Sequence, residues 1–215
     1  MLAPDYPRDD NGWILFPRDT GLRRKLQPAE VMDHPAKMNM HLLIEIVKEF
    51  TQPGDTITDI FGGVGTTGVA VLMGRNVNLI EIEQHFTDLQ TKMYSNWKAD
   101  PFSYGSEIDQ ERIGLPANLM CINGDNQRVA YPPTDHMIFS PPYANDLAKL
   151  GGGALTEQTQ KAADLYTASK ENLGRKNEFF YRQAMGKVYD KVGLAVRLSI
   201  LIKQRVRLLS MMRIL

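Results

Sequence analysis

The sequence predicts an α/β domain, a mostly parallel sheet flanked by helices, on three observations. Short apolar runs alternate with segments of helical period, the pattern of a chain that crosses over between parallel strands. A glycine-rich turn, Gly62-Gly63-Val64-Gly65, follows the first such run directly. A proline pair, Pro141-Pro142, closes a later run, where a sheet ladder has to end.

The elements follow in order. Residues 1–33 hold four prolines, scattered charges and the basic cluster Arg23-Arg24-Lys25, which reads as a loosely packed, irregular arm with a solvated basic face. From Met38 to Phe50 the positions Leu42, Leu43, Ile46, Val47 and Phe50 keep a helical spacing, and Pro53-Gly54 ends that helix. Thr56 to Ile60 reads as a strand that runs into the glycine turn, and a helix is expected from Thr66 to Met73. Val77 to Ile82 is the next strand. Gln84 to Trp97 is the next helix, with Phe86, Leu89, Met93 and Trp97 on one side. Residues 99–116 have no clear period and read as a loop. Leu119 to Ile122 and Met137 to Phe139 are further strands. Residues 144–176, with Gly151-Gly152-Gly153, read as a mobile insertion or recognition loop. Asn177 to Val192 is helical, with Phe180, Ala184, Val188 and Val192 in line, and Leu198 to Ile202 is a last strand. A basic and apolar tail covers 204–215.

A length of 215 residues suits one domain with a real core, and 43% hydrophobic with 23% charged residues is the composition of a soluble globular protein. Apolar runs such as Val69 to Met73 are far too short to span a bilayer, and the first residues do not read as a secretion signal. Cys121 is the only cysteine, so no internal disulfide forms and a reducing cytoplasm fits; within its strand it reads as a small core residue. His34, His41, His85 and His136 share no metal-ligand spacing. Trp13 and Trp97 read as packing residues. Net charge is zero but divided: residues 1–143 hold 12 Lys/Arg against 19 Asp/Glu, and residues 144–215 hold 13 against 6. A nucleic acid, if bound, is expected mainly on the second part.

Gly63, Gly65 and Gly68 match the spacing G-x-G-x-x-G between a strand and a helix. Absent side chains at 62, 63 and 65 let a flat or extended ligand lie against the backbone, and amides opening the next helix suit a phosphate or a carboxylate. Glu81 ends the second strand, where a carboxylate accepts from both hydroxyls of a ribose; Glu83, two residues on, is the rival for that role. Nicotinamide cofactors and S-adenosylmethionine both satisfy this pattern.

Ser140-Pro141-Pro142-Tyr143 adds a different chemistry. The prolines fix the backbone rigidly at the carboxyl edge of a strand, where open parallel sheets bind ligands. An exocyclic amino group is a poor nucleophile because its lone pair is delocalised into the ring. Accepting its N–H groups at Ser140 Oγ and the Pro141 carbonyl favours a pyramidal nitrogen with a localised pair. Tyr143 is suited to stack on a base flipped out of a duplex.

Together these segments resemble the DNA amino-methyltransferases, which modify N4 of cytosine or N6 of adenine. The likeness covers roughly residues 34–143 and, more weakly, 177–203. It implies a Rossmann-like methyltransferase fold, S-adenosylmethionine as cofactor and DNA as partner. His34-Pro35-Ala36-Lys37-Met38 looks like the segment that helps to hold the methionine part of the cofactor. Gln52-Pro-Gly-Asp55 with Asp59-Ile60-Phe61-Gly62-Gly63-Val64-Gly65-Thr66-Thr67 is similar to the family's cofactor loop. Gly74 to Phe86 resembles the stretch bearing the ribose-binding acid, and Gly124-Asp125 the site that touches adenine. Phe179 to Met185 and Ile200 to Lys203 resemble the helix and strand after catalysis. Ile60 stands where the family more often has proline, and Val64 where it has a small residue. Serine at position 140 is more typical of the cytosine enzymes. The family continues past the last strand with a hairpin, which the residues up to Leu215 do not resemble, so the sheet is expected to lack it. Competing readings are a catalytically degenerate DNA-binding relative, an RNA base methyltransferase and a nicotinamide-dependent oxidoreductase.

Overall fold

The structure, a computed structural model, describes residues 3, 5–34, 37–108, 116–142, 166 and 171–201, with backbone alone for 196–201. Pro35, Ala36, Tyr143 and the tail over 204–215 lie outside the described residues, as does most of the segment 144–176.

Among the described residues five parallel strands form one sheet: β1 (Thr56–Asp59), β2 (Asn76–Glu81), β3 (Leu119–Asn123), β4 (Thr134–Phe139) and β5 (Val196–Leu201). Their order is β3-β2-β1-β4-β5. The chain steps outward from β1 through β2 to β3, then returns to lay β4 on the other side of β1. That reversal opens a crevice above the carboxyl ends of β1 and β4, where sheets of this class hold their ligands.

The helix after the arm, α2 (Met40–Phe50), starts where Asn39 accepts from the amides of His41 and Leu42 at 2.9 and 3.2 Å. It ends against Arg75, whose guanidinium donates to Thr51 Oγ1, Thr51 O and Met73 O at 2.9, 2.7 and 2.6 Å. Orphan carbonyls at two helix ends are thus satisfied by one buried side chain. The faces of β1 and β2 divide two cores by the period-two rule. Val77 and Leu79 face α2, the 3-10 segment Thr67–Met73 and α3 (Gln84–Ala99). Ile80, with Met137 and Phe139 of β4, faces Ala184, Met185, Val188 and Val192 of a helix over Glu178–Ala195.

Several expectations change. The arm is not loosely packed: α1 (Thr20–Leu26) and a 3-10 turn at Ala29–Asp33 put Leu26 and Val31 into the core. Arg23, expected on a solvated face, is 1% exposed, while Arg24 and Lys25 are exposed. The segment after the glycine turn is a buried 3-10 helix, too short and apolar for a regular amphipathic one. Part of the expected loop 99–116 is α4 (Pro101–Ser106), started by Pro101 at its first position and by Asp100, which accepts from Ser103 N. The helix Glu178–Ala195 is α5; Phe180, placed in its buried line, is 56% exposed, and the buried positions of α5 begin at Ala184. Trp97 packs in the core, but Trp13 is 54% exposed. Cys121 is only half-buried, since β3 is an edge strand.

Candidate functional site

The glycine turn, the Asp125 segment and Ser140 follow the carboxyl ends of β1, β3 and β4, and Glu81 is the last residue of β2. Parallel strands deliver their carboxyl ends to one edge, so the topology collects segments that lie far apart in sequence.

The turn is braced from beneath by Asp59. Its carboxylate accepts from Phe61 N–H at 2.9 Å and from the Thr67 hydroxyl at 2.6 Å, closing the loop's two ends together. Asp59 and Thr67 are both buried, and together they support the turn from within. Burial pushes the Asp59 carboxyl up to about 6, although both hydrogen bonds oppose it.

The glycines have different jobs. Gly65 has φ +81, and a Cβ there would lie 2.8 Å from Met93 Cε and 3.1 Å from Gln90 Cγ. At Gly62 a Cβ would meet Gln90 Nε2 at 2.9 Å and Leu79 Cβ at 3.2 Å. Both let the turn press on α3 and β2. At Gly63, with φ +48, the nearest atoms to a Cβ would be Phe61 O at 3.8 Å and His34 Nε2 at 3.9 Å. Only Gly63 of the three leaves its Cβ direction uncrowded.

Glu81 binds this turn to the end of β2. Its Oε2 accepts from Gly63 N–H at 2.7 Å and its Oε1 from Glu83 N–H at 2.9 Å. Each oxygen keeps a second lone pair for a donor such as a ribose hydroxyl. Burial pushes the Glu81 carboxyl up to about 7; the two amide bonds oppose the rise, and the nearby charges of Glu83 and Asp59 add to it. Glu83, the rival, sits at the start of α3, where its Oε1 accepts from Asn172 Nδ2 at 3.2 Å.

His34 lies against Phe86, ring centres 4.9 Å apart, and its Nε2 is hydrogen-bonded to the Tyr166 hydroxyl at 2.5 Å. Lys37 donates to Met32 O at 3.1 Å and to His34 O, holding the segment in place. Beyond β3, Gly124 N–H donates to Glu81 O at 2.8 Å and Asn126 Nδ2 to Ile60 O at 2.7 Å, so the Asp125 loop is tied to the carboxyl ends of β2 and β1. Asp125 Oδ1 accepts from Gln127 N–H at 2.9 Å, and Lys191 of α5 donates to Asn126 O and Val129 O at 2.8 and 2.5 Å.

Ser140 follows β4 at once and, like Pro141 and Pro142, is half-buried. The Tyr181 hydroxyl of α5 donates to Pro142 O at 2.6 Å, a brace on the turn that the sequence did not reveal. Phe61 and Phe139, ring centres 5.8 Å apart, make an apolar floor between the glycine turn and Ser140.

Three more supporting residues escaped the sequence reading. Gln90 donates to Gly63 O at 2.7 Å, and its signal was a polar residue one turn after Phe86 in an apolar stripe. Arg23 and Gln27 donate to Thr66 Oγ1 at 3.0 Å and Gly65 O at 3.5 Å. Their signal was Asp19, Arg23 and Gln27 spaced four apart along one helix face. Among the described residues no group of His, Cys, Asp and Glu could hold a metal ion, and no helix is long and apolar enough to cross a membrane.

Residues 12–92 match the sequence model of the N6/N4 family described as DNA methylase. The type II methyltransferase M2.MboI of Moraxella bovis is 44% identical over 62 residues, 28% of this chain and 23% of that protein. M.BglI of Bacillus subtilis is 44% identical over 61 residues, 28% and 18% of the two chains. M.HinfI of Haemophilus influenzae is 36% identical over 83 residues, 38% and 23%. This chain therefore spans about a fifth of the length of the relatives it matches. Among solved structures, TrmN from Thermus thermophilus overlays with a TM-score of 0.38 at 15% identity, covering 54% of this chain and 32% of that one. The fold assignment stands on the strand order itself. Over residues 12–92, which hold the glycine turn and Glu81, the chain is similar in sequence to the DNA methylase family, and those residues lie on a parallel sheet with a crevice at its β1/β4 reversal.

Proposed function

We propose that the chain transfers a methyl group from S-adenosylmethionine to an exocyclic amino group of a DNA base, N4 of cytosine in preference to N6 of adenine. The observation that carries this reading is the gathering of glycine turn, Glu81, Asp125 and Ser140-Pro141-Pro142 at one sheet edge, astride the β1/β4 crevice.

Gly63 and His34 face one another across the methionine end of the pocket. Glu81 accepts the ribose hydroxyls with its two remaining lone pairs, and Asp125 stands at the adenine end. When bound, the cofactor supplies a methyl whose bond to sulfur breaks as its bond to nitrogen forms, with one nitrogen proton released. Ser140 Oγ and the Pro141 carbonyl accept the amino N–H groups and localise the lone pair. Pro142 O is already engaged by Tyr181, so the turn stays rigid while Pro141 O faces the target. Phe61 and Phe139 keep water from the path between them. Tyr143, outside the described residues, stacks on the flipped base.

Calorimetric titration with S-adenosylmethionine, NAD run alongside, tests the cofactor. Transfer of labelled methyl to DNA and to RNA, followed by nucleoside chromatography, tests the substrate. Binding of the methyl donor alone and label in N4-methyldeoxycytidine are expected. NAD bound alone, or label confined to RNA, would sink the reading.

A further inference from the structure

We propose that Arg23 is a positioning residue that clamps the glycine turn to the segment leading into α2, and so sets the methionine end of the cofactor pocket. The proposal rests on the methyl-donor reading for its consequence in binding, but its geometry stands apart from any ligand. Arg23 is a buried cation whose fork reaches in two directions. Its Nη1 donates to Thr66 Oγ1 at 3.0 Å and to Gln27 Oε1 at 2.7 Å. Its Nη2 donates to Met38 O at 2.8 Å and to Asp19 Oδ2 at 2.5 Å. Asp19 Oδ2 in turn accepts from Met40 N–H at 2.9 Å.

Two stretches that meet around the pocket, Gly65–Thr66 and Met38–Met40, are therefore held through one guanidinium. Gln27 adds a contact of its own, donating to Gly65 O at 3.5 Å and to Met93 Sδ at 3.2 Å. Trp97 Nε1 fixes the helix that carries both residues by donating to Leu26 O at 2.7 Å. An ammonium would match the charge of Arg23 but, as a single nitrogen, could not span both stretches. Thr66 Oγ1 accepts from Arg23 with one of its two lone pairs, and its proton can be donated to an acceptor on a ligand. A helix from the arm thus completes the turn from outside the motif.

The test is hydrogen–deuterium exchange of the free full-length chain, with Arg23→Lys, Arg23→Met and Thr66→Val. In both Arg23 variants, amides over residues 62–69 and 37–40 should exchange at least about tenfold faster, while residues 76–99 keep their protection. Thr66→Val should loosen 62–69 alone, since Arg23 keeps Met38 and Asp19. Unchanged exchange at 62–69, or an equal rise across 76–99, overturns the proposal. If the Arg23 variants do not fold, Thr66→Val decides by the same criterion. S-adenosylmethionine should bind Arg23→Lys about tenfold more weakly than wild type, a loss in line with charge-assisted hydrogen bonds. Equal affinity overturns the positioning role. A wild type that binds none, with the exchange pattern as expected, leaves the clamp standing and removes the methyl-donor reading.

Discussion

Replacing Glu81 with glutamine should separate stability from binding, with a magnitude set by its surroundings. In the free protein the Glu81 carboxyl titrates near 7 instead of its ordinary 4.5, chiefly because it is buried. The folded state holds this proton to a higher pH than the unfolded state does. The stability tied to the group is therefore full below about pH 4.5 and declines until the pH passes about 7, then stays level. At 1.36 kcal/mol per pH unit, the move from 4.5 to about 7 amounts to about 3 kcal/mol. A glutamine does not titrate, so this loss disappears in the variant. Its carboxamide oxygen can still accept from Gly63 N–H, but its NH2 then faces Glu83 N–H, at a cost of about 1 kcal/mol. Urea unfolding at pH 4.5 and pH 7.5 gives the comparison. Wild type should lose about 3 kcal/mol more than Glu81→Gln across that interval, and above pH 7 the variant should be the more stable protein. Ribose hydroxyls donating to Glu81 favour its carboxylate, so S-adenosylmethionine should bind wild type more tightly as the pH rises to about 7. Glu81→Gln should bind it more weakly, without that dependence. Parallel stability profiles for the two proteins would refute the burial argument, and equal affinities would remove Glu81 from the pocket.

Ser140→Ala should lower turnover by roughly 10–100-fold, through loss of one positioned acceptor, with the cofactor Kd unchanged; equal loss of both would contradict its role. Gly65→Ala should cost about 2 kcal/mol or more in unfolding experiments, because it adds backbone strain to a 2.8 Å contact with Met93. Gly63→Ala, less crowded, should cost less stability and weaken cofactor binding more. Tyr181→Phe should remove about 1 kcal/mol from the brace on Pro142 and lower kcat with little change in cofactor affinity, read from steady-state kinetics alongside calorimetry.

What could be read from the sequence follows from how each feature is encoded. Strand positions and the glycine turn are local patterns, and β1, β2, α2 and α3 lie within a few residues of where periodicity put them. The sheet order collects the motifs at one edge, so recognising parallel strands was enough to predict that collection. Polar braces are encoded differently. Arg23 in a basic triplet, Gln90 within α3 and Tyr181 within α5 each look like surface residues until a partner distant in sequence is known. Arg23 shows the cost of the local view: charge density predicted solvation, whereas four polar partners made burial tolerable. The exposure of Phe180 was hidden too, because helical period gives a line of positions but not where along it burial begins.

The glycine spacing illustrates why one motif fits unlike cofactors. Gly62 and Gly65 are there because α3 and β2 press against the turn, and that packing needs no ligand. Only at Gly63, next to His34 and Glu81, does the missing side chain leave room on the side from which a ligand approaches. Much of the fingerprint is thus a statement about how a strand, a turn and a helix fit together. Ligand identity has to come from what surrounds the one open glycine. Here that is a carboxyl titrating near 7, a histidine held by an aromatic pair, and a threonine held by a guanidinium. These groups suit a ribose at one side and a zwitterionic amino acid at the other. A pyrophosphate brings two negative charges to the same turn, beside two carboxyls, Asp59 and Glu81, whose charged forms burial already disfavours. The environment of Gly63, more than the spacing, favours the methyl donor over a dinucleotide.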